Sequence, residues 1–97
     1  MDFQTFAASV SDASPPAGLN MALQALWWDA KGDWEKAHEC AQKREDAAGN
    51  HVHAYLPRKE GDIGNAGYWY RRAGITPASG TLEAEWEAIA RGLLANT

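Results

Sequence analysis

Three histidines, a single cysteine and a short basic run are the side chains here whose chemistry extends beyond packing. His51-x-His53, with His38 and Cys40 elsewhere, supplies metal-ligand residue types. On a helix, however, positions i and i+2 do not share a face, and the chain has no His-x-x-x-His pair. No metal site is expected. The lone Cys40 excludes an internal disulfide framework and a CxxC cage, and it falls on the apolar stripe of its segment, where a thiol packs rather than attacks. His53 with Glu60 or Asp62 offers a general acid–base pair by residue type alone. Nucleophile elbow, P-loop and dinucleotide fingerprint are all missing, so no cofactor is expected and the balance lies against an enzyme. Arg58, Lys59, Arg71 and Arg72 outnumber Glu60 and Asp62 in the one basic segment of a chain whose net charge is −4. A basic patch beside aromatic rings suits phosphate, carboxylate or single-stranded nucleic acid. Arg71 and Arg72 also sit where a helix C-terminus favours cations. The acidic total argues against nucleic-acid binding in general.

These groups must be positioned by helices, because strand-like alternation occurs nowhere in the sequence. Phe3, Phe6, Ala7 and Val10 recur at helical spacing and predict a short N-terminal helix. Ser11 to Gly18 reads as a connector broken by Pro15 and Pro16, so that residues 1–18 form an N-terminal helix and linker. Leu19, Ala22, Leu23, Leu26 and Ala30 mark one face of the next helix. Gly32 closes it in a left-handed cap, and Asp33 opens the following one. That third helix, with Trp34, Ala37, Cys40 and Ala41 on its buried stripe, is predicted to run to about Ala48, where Gly49-Asn50 breaks it. Residues 19–48 then make a first hairpin. A second covers 51–74, its first helix running from about His51 to Glu60, with Pro57 bending or delaying it. Leu82, Trp86, Ile89 and Leu93, behind Ser79 or Thr81 as N-cap, predict a final helix over 79–96 that covers the open side of the second hairpin.

The two hairpins repeat one pattern. Ala25, Gly32, Asp33 and Ala37 recur at a constant interval as Ala54, Gly61, Asp62 and Ala66, and Trp34 is matched by the bulky Ile63. Gly61 to Gly74, GDIGNAGYWYRRAG, resembles the second half of a tetratricopeptide (TPR) or Sel-like repeat. Ala25 to Cys40, ALWWDAKGDWEKAHEC, looks like the same unit with its ending altered. The interval is shorter than the usual ~34 residues, and two copies fall below the three of an autonomous solenoid. The resemblance therefore implies a single all-α domain of two degenerate TPR-like hairpins between an N-terminal helix and a C-terminal capping helix. The block HAYLPRKEGDIGNAGYWYRRAG is also similar to that of small bacterial and fungal proteins with no agreed activity, in which a His often stands where this chain has Pro57.

Antiparallel pairing about the two Gly-Asp turns places His53 near Trp69 and Tyr70, Arg58 near Asn65, and Trp27 and Trp28 near Ala37 and His38. Trp27, Trp28, His53, Arg58, Asn65, Trp69 and Tyr70 are thus the candidate binding residues, forming a groove for a peptide or protein partner. The alternative is a closed pocket for a small anionic or planar metabolite, with His53 as base and Arg58 as anion anchor. Core filling is the competing role for the rings, above all Trp34, Trp86 and one of Trp27 and Trp28. Spare aromatic surface also suits a homodimer. No segment reaches the ~20 apolar residues that span a bilayer, so no membrane partner is expected. The N-terminus carries no basic, apolar leader pattern, and with one cysteine the reading is cytoplasmic.

Overall fold

The computed structural model describes residues 1–43 and 47–95, without the side chains of 47 and 48. It forms a bundle of six helices: α1 (Phe3–Ala8, continued by a 3-10 turn over Ser9–Ser11), α2 (Met21–Lys31), α3 (Trp34–Gln42), α4 (Ala47–Glu60), α5 (Ile63–Ala73) and α6 (Leu82–Ala95). No described helix is long and apolar enough to cross a membrane.

The repeated Gly-Asp dipeptides build the same turn twice. Gly32 and Gly61 both lie at φ 88°, in the left-handed region that glycine enters without a Cβ penalty. In the first turn the Gly32 N–H donates to the Asp29 carbonyl (3.0 Å) and the Asp33 N–H to the Trp28 carbonyl (2.9 Å). In the second, Gly61 donates to Arg58 (3.1 Å) and Asp62 to Pro57 (2.9 Å). The aspartates then cap the next helices. Asp33 accepts from the Lys36 N–H at 3.1 Å, and Asp62 accepts from the Asn65 N–H at 3.3 Å. Ala25, Ala37, Ala54 and Ala66 are all buried, and their small side chains let the paired helices approach closely. The result is helix-on-helix packing of a helical-repeat kind.

Leu23, Leu26 and Trp27 of α2, Val52, Tyr55 and Leu56 of α4, and Ile89 and Leu93 of α6 form the main core, closed at one end by Phe6. α6 lies across both hairpins, packing on α2 and α4, and α1 packs on α6. Its first turn is capped by Thr81, whose hydroxyl accepts from the Ala84 N–H at 3.0 Å. A second, smaller cluster of Ala54, Ala66 and Tyr70 holds α5.

Three local expectations change. α3 ends at Gln42 rather than near residue 48; residues 44–46, like 96, lie outside the described residues. Gly49-Asn50 does not break a helix but sits buried inside α4, where the Asn50 amide donates to the Arg72 carbonyl at 3.4 Å. Burial and that long-range bond override a local turn signal. α4 also continues through Pro57. The proline lies in the last turn, so its missing donor affects only the end of the helix, and its own carbonyl accepts from the Asp62 N–H in the Gly61 cap. Ile63, the counterpart of the core-packed Trp34, is 66% exposed because no further hairpin follows α5 to cover it.

Candidate functional site

Two polar constructions stand out, and the seven candidate residues divide between them and the core. The first is a buried cluster around Glu85, whose side chain is 3% exposed. One of its oxygens accepts from Arg58 Nη1 at 2.8 Å. The other accepts from the Tyr70 hydroxyl at 2.5 Å and lies 3.2 Å from His51 Nε2. A carboxylate only accepts, so His51 carries its proton on Nε2. Arg58 Nη2 also donates to the Gly80 carbonyl, which ties the α5–α6 loop to α4.

Burial by itself raises the Glu85 pKa. The bonds from His51, Tyr70 and Arg58 outweigh it and hold the carboxyl below its ordinary value. Burial pushes the Tyr70 phenol up, reinforced by its bond to Glu85, and the same carboxylate raises Arg58. The cluster is therefore a fully donated carboxylate with a phenol kept neutral, a rigid buckle joining α4, α5 and α6.

The second construction is a cleft of about 520 Å³ between α3, α4 and α5, lined by His38, Gln42, His53, Pro57, Asn65, Trp69 and Arg72. Trp69 is its centre. The His53 ring lies 4.3 Å from it, and the Arg72 guanidinium stands 5.0 Å from its centroid. Arg72 is further oriented by Tyr68, whose hydroxyl accepts from Nη1 at 3.3 Å. His38 packs its ring at 4.2 Å on Trp34 and its Nε2 lies 4.0 Å from Glu60. The lining presents donors and a cation, with no carboxylate among its residues.

His53, Asn65 and Trp69 thus share one cleft. Arg58 and Tyr70 turn instead to Glu85, so the basic run does not form one patch: Lys59 is likewise held at 2.9 Å by Asp29. Trp27 is fully buried, its indole N–H donating to Ser9 Oγ at 3.0 Å. Trp28 is half-buried against it, with Lys36 Nζ 4.2 Å from its ring centroid. Among the described residues no group of three or more His, Cys, Asp or Glu is placed to hold a metal. Cys40 is buried, which raises its thiol pKa.

By position Glu85 reads only as one of the acidic residues that suit the start of α6 and Asp29 as an ordinary helix residue, although a stronger signal exists. Glu85 occupies a stripe position among Leu82, Trp86, Ile89 and Leu93, and Asp29 does so behind Ala22, Ala25 and Leu26. A carboxylate on an apolar stripe must be partnered. Gln42 and Arg72 complete the cleft from α3 and from the end of α5, positions that pairing about a single turn does not connect. No protein-family model, curated protein or solved structure matches the chain.

Proposed function

We infer that this chain is a small TPR-like binding domain that takes a peptide or protein partner in the cleft between α3, α4 and α5. The observation that carries this reading is Trp69, a large ring held between His53 and Arg72 beside the amide of Asn65. An amphipathic indole flanked by donors suits an extended segment that offers an apolar side chain together with carbonyl or carboxylate oxygens. The duplicated capped hairpins support it, because they set α3, α4 and α5 side by side with a cleft between them. The Glu85 buckle supports it as well by fixing α4 and α5 relative to each other, which lowers the ordering cost of binding.

Selection from a displayed random-peptide library tests the reading. Peptides enriched on the native chain are expected to carry an acidic residue near an apolar one. Their binding should fall at least about tenfold on Trp69→Ala, the loss typical of an interface aromatic anchor. Enriched peptides that bind Trp69→Ala as tightly as the native chain would place the partner surface elsewhere.

A further inference from the structure

A separate cavity of about 450 Å³ lies where α1, α2, α4 and α6 meet, and it shares no lining residue with the cleft described above. Its volume falls within the range of small-molecule sites, roughly 300–1,000 Å³. Phe3, Tyr55, Leu82 and Trp86 give it hydrocarbon walls. Trp86 is immobilised there. Its N–H donates to the Leu26 carbonyl at 3.0 Å, its ring stacks on Phe6 at 5.5 Å, and the Phe3 ring meets it at 5.9 Å. With the N–H already used, Trp86 contributes π surface to this wall and no free donor.

The charges around this wall are unequal. Asp29, at the buried side, is neutralised by Lys59 at 2.9 Å. Glu83 and Glu87 stand one turn apart on α6 and share a face beside Trp86, an arrangement in which like charges repel. Arg91 pairs with Glu87 at 2.7 Å, whereas Glu83 has no cationic partner among the described residues. Arg91 also stands 4.5 Å from the Phe3 ring centroid, so Glu83 is the carboxylate left uncompensated above the aromatic walls, and it favours one class of ligand through two effects. Carboxylates attract a cation directly, and the negative faces of the rings attract the same charge. An anion is repelled, and a neutral molecule gains only apolar burial.

We propose that this cavity binds a small organic amine as its ammonium ion, the hydrocarbon body against Trp86, Phe3 and Leu82 and the charge at Glu83. Three near-isosteric probes test it by calorimetric titration of the full chain: 2-phenylethylamine, 2-phenylethanol and phenylacetate. The amine is expected to bind saturably and to shift the Trp86 indole resonance, the alcohol to bind roughly two- to fivefold more weakly, and the carboxylate not to bind. Glu83 is exposed, so the variant Glu83→Gln leaves the core and the Arg91–Glu87 pair intact. It is expected to weaken the amine roughly two- to fivefold and leave the alcohol unchanged. Absence of amine saturation, equal binding of amine and alcohol, binding of the carboxylate, or a Glu83→Gln variant that binds the amine as before would each overturn the proposal.

Discussion

Glu85 shows how much one side chain can hold. A carboxylate buried to this extent is tolerated because Arg58, Tyr70 and His51 together supply donors to both oxygens. Glu85→Gln keeps the shape and removes the charge, and it is expected to cost about 2–3 kcal/mol of stability near neutral pH. The pH dependence has a definite sign. The folded pKa lies below the ordinary 4.5, so the unfolded chain binds the proton more readily. The stabilisation is present above that value and is lost as pH falls through the folded pKa. Urea unfolding at neutral pH and at successive acid steps should show the native chain losing its advantage over Glu85→Gln below about pH 4.5. An advantage that persists unchanged through that range would contradict the ionised buckle. Little of this was legible in the sequence, because the four partners come from α4, α5 and α6 and no local spacing relates them. The only trace was an acidic residue on an apolar stripe.

The helices themselves were far more legible, for the opposite reason. Gly32-Asp33 and Gly61-Asp62 act within a few residues, through a left-handed glycine and a side chain bonded to the next turn. A Cβ at Gly61 would meet nothing within 4 Å, so Gly61→Ala tests backbone conformation alone. It is expected to cost about 1 kcal/mol, as is loss of the cap in Asp62→Ala. Gly92→Ala, inside α6 with equally open space and no positive φ, is expected to stabilise by roughly 0.5–1 kcal/mol. Urea midpoints of the three variants check both signs, and a destabilising Gly92→Ala alongside a neutral Gly61→Ala would refute the cap argument. Gly49-Asn50 marks the limit of such reasoning. The dipeptide has the chemistry of a turn, yet it lies inside α4 because tertiary burial and a bond to the far end of α5 favour the helix.

At the scale of the whole molecule the two hairpins are unequal. α2 contributes Leu23, Leu26 and Trp27 to the main core, whereas α5 rests on the small cluster of Ala54, Ala66 and Tyr70 and leaves Ile63 and Tyr68 exposed. Native-state hydrogen exchange should therefore find α5 amides opening before those of α2, in keeping with the smaller apolar area that holds them. Equal protection in both helices would contradict this asymmetry. The same asymmetry leaves one wall of the Trp69 cleft on the helix with the smaller apolar anchor, which the Glu85 buckle holds to α4. The central claim concerns that cleft, and one measurement addresses it most directly: titration of a library-selected peptide into isotope-labelled protein, followed by NMR. The account predicts that the Trp69 indole and the backbone amides of His38, His53 and Asn65 shift together and saturably, while the Trp27 indole stays in place. Shifts confined to other faces, with Trp69 unmoved, would contradict it.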